Sequence, residues 1–241
     1  MKCERIWELD ALRGLCVLGM IALHFLFDLT KFYGIIPWQI PGWLMFVMDW
    51  GGVAFFLISG VCATLGTRCV RRGLMVLGCG LAVSAVTWAM YALGMAARAV
   101  IIYFGVLHCL GLCMILWYLF RKLPTPALAV LAVIFVALGL WFRDLTVQSR
   151  WLFWLGLPYV GFATSDYFPL LPFLGFFLAG GVLGRLLYRQ KQTLLPGVGP
   201  RGPVPRFLQF VGRWSLPVYM LHQPILTGLI YLILVIQEAH P

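Results

Sequence analysis

The chain carries seven apolar stretches, each about as long as a membrane-spanning helix, and they constrain its fold more than any other feature. A helix that crosses a bilayer needs roughly 20 mostly apolar residues. With 62% hydrophobic and 11% charged residues, the chain has more apolar surface than a soluble domain of this size can bury. We therefore predict an all-α, polytopic helix bundle in the lipid bilayer, with a single domain over residues 1–241. The predicted spans are 11–31, 44–66, 73–94, 99–120, 125–142, 168–188 and 214–236.

The basic residues predict the orientation of the bundle, because Lys and Arg concentrate in cytoplasmic loops. The net charge of +10 follows these loops, so we expect no nucleic-acid partner. We predict an integral membrane protein with its N-terminus in the cytoplasm and its C-terminus outside. The residues placed outside are Lys31, Arg98, Arg143 and Arg150. Those placed inside are Lys2, Arg5, Arg13, Arg68, Arg71, Arg72, Arg121, Lys122, Arg185, Arg189, Lys191, Arg201, Arg206 and Arg213.

Three segments predict local structure between or within the spans. The Pro- and Gly-rich, basic stretch "LPGVGPRGPVPR" ends a cytoplasmic loop, 189–206, that we expect to be flexible. The aromatic stretch 151–163 is too short and too interrupted to span, so it predicts an interfacial or re-entrant segment. Gly180 and Gly184 have the GxxxG spacing that favours close helix packing. The seven cysteines lack the paired spacing of a zinc site, and we expect no metal.

Four ionisable residues lie on one face of the first predicted helix. At 100° per residue, Asp10, Arg13, His24 and Asp28 fall within about 60° of one another. Such residues usually face a bundle interior or a water-filled cavity and indicate a functional path. A purely structural interpretation also exists for Asp10 and Arg13, which are i, i+3 neighbours and can simply pair. Asp28, one turn beyond His24, is predicted to orient the imidazole.

Two histidines are predicted to lie deep in the membrane. His24 lies ~20 Å from the cytoplasmic end of its helix, and His108 lies ~14 Å from the outer end of another. Both therefore fall in the outer half of a core about 30 Å thick, where imidazoles indicate proton chemistry. His222 is predicted to lie nearer the cytoplasm.

Further sparse polar residues extend the predicted site. Asp49 and Ser59 share a helical face, and Ser215, Tyr219 and His222 share another. Asp166 lies just outside the sixth span. Arg13 and Arg213 are candidates for binding phosphates on the cytoplasmic side, because Arg makes bidentate phosphate contacts.

Five sequence blocks occur here in one order: "RIWELDALRGLCVLGMIALHFLFDL", "FFLISG", "YFGVLHCLGL", "DYFPLLPFLGFFLAGGVLG" and "GRWSLPVYMLHQPIL". Together they resemble the catalytic domain of the heparan-α-glucosaminide N-acetyltransferase family, and in particular its compact bacterial members. The resemblance implies a membrane acyltransferase that moves an acetyl group from cytoplasmic acetyl-CoA to an amino sugar or related glycan on the outer face. It implies a location in the bacterial cytoplasmic membrane, and functional roles for Asp10, Arg13, His24, His108, Asp166 and His222.

The residues and the resemblance together give a set of expected roles. The catalytic residues are predicted to be His24, Asp28 and His108. Coenzyme-binding residues are predicted to be Asp10, Arg13, Ser59, His222 and Arg213. Acceptor-binding residues are predicted to be Asp49 and Asp166.

Several alternatives stay open at this point. The chain could be an O-acyltransferase acting on a hydroxyl of a cell-envelope glycan, or a proton-coupled transporter that is not an enzyme. The reaction could proceed directly or through an acetyl-histidine intermediate. A homodimer is one oligomeric state that we consider.

Overall fold

A computed structural model describes residues 6–197, 199 and 201–239, with side chains up to residue 236. Lys2 and Arg5, used in the orientation argument, lie outside the described residues. The described part contains helices and two isolated β-bridges but no strand. The helices are α1 (Trp7–Phe27), α2 (Gly42–Trp50), α3 (Gly52–Leu65), α4 (Cys69–Ala92), α5 (Val106–Phe120), α6 (Thr125–Phe142), α7 (Leu170–Leu187), α8 (Pro203–Arg213) and α9 (Ser215–Ala239). The predicted all-α, polytopic architecture is confirmed.

Among the described residues, six apolar helical segments are long enough to cross a membrane. They are Trp7–Phe32, Gly42–Leu65, Cys69–Ala92, Thr125–Phe142, Leu170–Leu187 and Ser215–Ile236. The protein is therefore an integral membrane protein. The predicted fourth span, 99–120, differs, because its helix α5 begins only at Val106 and has 15 residues. At about 22 Å it is shorter than the hydrocarbon core.

Three other segments differ in detail from the predicted spans and loops. The first span ends in a π-helical turn, Asp28–Phe32. The second is divided at Gly51 into α2 and α3. The loop predicted over 189–206 ends earlier, because α8 begins at Pro203. A proline suits the first turn of a helix, where its missing N–H would have no partner inside the helix. The flexibility of the remaining loop stays a prediction.

The described chain forms two compact units. Among the described residues, the terminal unit comprises 6–52 and those from 195 to 239, and the central unit comprises residues 53–194. The expectation of a single domain stays a prediction.

In the terminal unit, α1 packs closely on α8, and α1 also contacts α9. Two glycines permit the close approach of α1 and α8. A Cβ on Gly14 would overlap the carbonyl oxygen of Leu208, and one on Gly212 would overlap that of Asp10. The backbones therefore touch, and any larger side chain at either position would force the helices apart.

The central unit packs α4 on α5 and α6 on α7. Its fully buried side chains include Phe56, Phe177 and Leu128. The close packing predicted at Gly180 is confirmed, because a Cβ there would overlap the Leu57 carbonyl oxygen of α3. Gly60 on α3 meets the backbone of α7 in the same way.

Candidate active site

Two histidines meet in the terminal unit, one on α1 and one on α9. The rings of His24 and His222 are arranged edge to face, with centroids 5.0 Å apart and an interplanar angle of 84°. The prediction that His222 lies nearer the cytoplasm is therefore wrong. Helix α8 packs beside residues 10–14 of α1 and leads directly into α9. The level at which α9 begins is set by that packing.

Backbone carbonyls fix the tautomer of both rings. Nδ1 of His24 lies 2.9 Å from the carbonyl oxygen of Met20. Nδ1 of His222 is bonded in the same way to the carbonyl oxygen of Tyr219. A carbonyl oxygen only accepts, so each Nδ1 carries the proton in the neutral ring and each Nε2 holds a lone pair. His24 is exposed, whereas His222 is buried and its Nε2 has no hydrogen-bond partner among the described residues.

A carboxylate and an amide follow the two histidines. Asp28 lies one turn beyond His24, at the end of α1, and Gln223 is the residue after His222 on α9. Nε2 of Gln223 donates to Oδ2 of Asp28 at 2.9 Å. Asp28 is buried, with 4% of its surface exposed. Thus the Met20 carbonyl orients the imidazole of His24, while Asp28 accepts from Gln223. A direct orienting role for Asp28 stays a prediction, but its charge lies on the same face as the ring pair.

A second polar cluster lies towards the N-terminal end of α1. Oδ1 of Asp10 accepts from Nη1 of Arg13 at 3.3 Å, and its Oδ2 lies 3.7 Å from Nε of Arg213 on α8. Three predicted coenzyme-binding residues are therefore brought together. The indole N–H of Trp7 is buried and has no hydrogen-bond partner in the described part of the chain. Two guanidinium groups suit a phosphate, although Asp10 partly neutralises them.

The central unit holds His108 in a continuous hydrogen-bond network. The N–H of Gly105 donates to Nδ1 of His108 at 3.2 Å. Nε2 of His108 lies 3.2 Å from the Ser84 hydroxyl, which donates to the carbonyl of Ile102 at 2.5 Å. The Ser84 proton is thus used, so Nε2–H donates to Ser84 and the ring is neutral. Both ring nitrogens are occupied in holding the chain before α5.

The helical count behind the predicted depth of His108 is wrong, and the depth itself stays a prediction. Nine helical residues are expected before His108, whereas the helix begins at Val106 and His108 lies in its first turn. Segment 101–105 is not helical. Its backbone groups need partners inside a bilayer, and Ser84, Thr87 and His108 supply them.

Asp166 and its neighbours also form hydrogen bonds with the chain before α5, over residues 100–106. Oδ2 of Asp166 accepts from the N–H of Val106 at 3.1 Å, which places a carboxylate at the N-terminus of α5. The hydroxyls of Thr164 and Ser165 donate to the carbonyls of Ile101 and Val100. Burial raises the pKa of Tyr167, so its hydroxyl remains a donor to Phe153 at neutral pH. These contacts give Asp166 a structural role, and acceptor binding by it stays a prediction.

The remaining predicted residues, Asp49 and Ser59, lie on two other helices. Asp49 is exposed on α2, in the terminal unit, and Ser59 is half-buried on α3, in the central unit. Among the described residues, no group of three or more His, Cys, Asp or Glu side chains could hold a metal ion. The sequence analysis did not identify Ser84 as a partner of His108 or Trp7 as a buried donor. Ser84 could have been found as one of few polar residues in an otherwise apolar helix.

The fold and the paired polar clusters define a class: an integral membrane protein with a histidine pair on its spanning helices. The family model for the heparan-alpha-glucosaminide N-acetyltransferase catalytic domain matches residues 5–224. The chain belongs to this family, and it is accordingly a membrane acetyltransferase in the general sense of that family. No curated protein and no solved structure matches the chain closely enough to be called similar.

Proposed function

We propose that the protein transfers the acetyl group of acetyl-CoA, bound on the cytoplasmic side, to an amino group of a sugar on the outer face. The main support is the geometry of His24. Its Nδ1–H is committed to Met20, and its side chain is exposed, so Nε2 is the nitrogen that a substrate can reach. This is the tautomer that a general base requires.

In the proposed reaction, the acceptor nitrogen attacks the thioester carbonyl carbon as Nε2 of His24 removes its proton. The new C–N bond forms, the C–S bond breaks, and the thiolate leaves with the proton that His24 held. In this proposal His222, whose ring meets that of His24 edge to face, stabilises the charged imidazolium of His24 or receives its proton. Asp28, buried on the same face, adds a negative charge that favours the imidazolium.

The cluster of Asp10, Arg13 and Arg213 is the proposed contact for the coenzyme phosphates. Arg13 precedes His24 by eleven residues on the same helix, a separation of about 16 Å along its axis. An extended arm lying on this face would therefore connect phosphates at Arg13 with a thioester at His24. The ion pairs of Asp10 with Arg13 and Arg213 keep the guanidinium groups in place when no phosphate is bound.

The test is transfer of labelled acetyl from acetyl-CoA to a panel of amino and hydroxyl sugars by the purified protein. We expect labelled product with amino sugars and none when acetyl-CoA is replaced by coenzyme A. Product formed only with hydroxyl sugars would indicate an O-acyltransferase instead.

A second measurement addresses the transporter alternative. A ligand that binds only the folded protein stabilises it by about 2.7 kcal/mol at 100 times its Kd. We therefore expect acetyl-CoA to raise the melting temperature of the wild-type protein. The absence of both turnover and stabilisation would contradict an acetyl-CoA-dependent enzyme and favour a proton-coupled transporter.

A further inference from the structure

Helix α8 has three faces of different chemistry. Leu208, Val211 and Gly212 lie on the side that packs on α1. Phe207, Phe210 and Trp214 fall within about 60° of one another on the next side, and all three are more than half exposed. The rings of Phe210 and Trp214 also contact each other, with centroids 6.4 Å apart. An aromatic stripe is thus left uncovered beside the packed face.

Arginines flank this stripe. Arg206 and Arg213 lie about two turns apart on the polar face of α8, which borders the aromatic stripe. Arg201 lies two residues before the helix and is exposed. Residues 195–214 contain these three arginines and no Asp or Glu. The surface is therefore positively charged as well as aromatic.

The length of α8 decides where such a surface can lie. Its 11 residues extend about 16 Å, too short to cross a hydrocarbon core of about 30 Å. Trp214 then leads directly into α9, which is long enough to cross. A short helix with an aromatic face, a cationic face and a tryptophan at the start of a span has the composition of an interfacial helix.

We propose that α8 docks on the surface of its own bilayer, where its aromatic stripe enters the headgroup region and Arg201 and Arg206 bind anionic phospholipid headgroups. The topology rule accounts for the arginines alone, but not for the exposed aromatic residues beside them. Charge complementarity selects anionic rather than zwitterionic lipid. Since Arg213 on the same helix contacts Asp10, the bound lipid would also hold α8 against α1.

The test compares lipid binding by the full-length protein in detergent, using native mass spectrometry with phosphatidylglycerol or phosphatidylcholine. We expect the wild-type protein to retain phosphatidylglycerol preferentially. R201Q/R206Q should bind it about 30-fold more weakly, because each basic residue near an anionic surface contributes about a fivefold increase in binding. Hydrogen exchange of 203–213 should be slower in nanodiscs containing phosphatidylglycerol than in phosphatidylcholine, and R201Q/R206Q should abolish that difference.

Two further variants separate this site from general charge effects. R189Q/K191Q removes the same charge from the neighbouring loop and should leave phosphatidylglycerol binding unchanged. R201K/R206K keeps the charge and should retain most of the binding, which shows that the helix still folds. Equal retention of both lipids by the wild-type protein, or equal losses in R201Q/R206Q and R189Q/K191Q, would overturn the proposal.

Discussion

The imidazole rings of His24 and His222 lie edge to face, 5.0 Å apart, and each donates its Nδ1 proton to a carbonyl of its own helix. Neither ring therefore needs the other as a hydrogen-bond partner. The pairing brings two nitrogens with free lone pairs to one place in the membrane. Apolar side chains would pack there at lower cost, which makes a chemical use of the pair the better interpretation.

The orientation of the bundle can be tested by chemical labelling. In a background whose native cysteines are replaced by alanine, Lys122→Cys should be shielded from an impermeant maleimide outside the cell. Gln148→Cys, on the segment predicted to be outside, should label readily. Both side chains replaced are exposed, so access depends on the side of the membrane. Labelling of Lys122→Cys in intact cells would reverse the predicted orientation.

The packing of α1 on α8 predicts different effects for two glycines on one helix. Gly14→Ala would place a Cβ against the Leu208 carbonyl and should destabilise the protein by about 1–3 kcal/mol through overpacking. Gly19→Ala has nothing within 4 Å of its new Cβ and should stabilise it by up to ~1 kcal/mol through helix propensity. Thermal unfolding in detergent measures both, and equal shifts would contradict the close approach.

The sequence predicts the spanning helices well, but it predicts poorly where α5 and α9 begin. Apolar runs of sufficient length predict spans because a bilayer permits few other structures. A depth in the membrane obtained by counting residues assumes an uninterrupted helix. That count fails where segment 101–105 leaves the helix and where α8 determines the start of α9. The contact of Gly14 with α8 is long-range, and nothing in the local pattern specifies it.

The hydrogen bonds of His108 predict a positioning role rather than a catalytic one. His108→Ala removes the acceptor of the Gly105 N–H and the donor to Ser84. It should cost about 1–3 kcal/mol and lower the melting temperature by several degrees. His108→Gln supplies one acceptor and one donor and should restore most of the stability. The two roles differ in kcat: if His108 were a base, His108→Gln would keep the melting temperature but lose ~10²-fold in kcat.

The Asp10 cluster predicts the effect of Arg13 on coenzyme binding. Arg13→Ala removes one guanidinium group while Asp10 keeps Arg213, so the fold should survive. Loss of a charged hydrogen bond costs about 1.5–3 kcal/mol, so calorimetry should show roughly 10- to 100-fold weaker coenzyme A binding. Arg189→Ala, an exposed arginine outside the cluster, is the control and should bind normally. Unchanged affinity in folded Arg13→Ala would exclude Arg13 from the site.

The final prediction separates His24 from His222. If Nε2 of His24 is the base, His24→Ala should lose at least ~10²-fold in kcat, the usual scale for a general base. Coenzyme binding should persist, because Arg13 lies about 16 Å away along α1. His222→Ala should lose less, since it removes only support for the imidazolium, and Asp28→Asn should also lose less, because the amide oxygen still accepts from Gln223.

The double variant then distinguishes a shared role from independent ones. Residues that act as a unit give non-additive losses, so His24→Ala/His222→Ala should be little worse than His24→Ala alone. Steady-state kinetics of the wild-type protein adds the last distinction. Direct transfer requires both substrates bound together, whereas an acetyl-histidine intermediate gives ping-pong behaviour. Near-normal turnover by folded His24→Ala with an acceptor that the wild-type protein uses would place the base elsewhere, and His222, whose Nε2 is also unprotonated, would then be the first candidate.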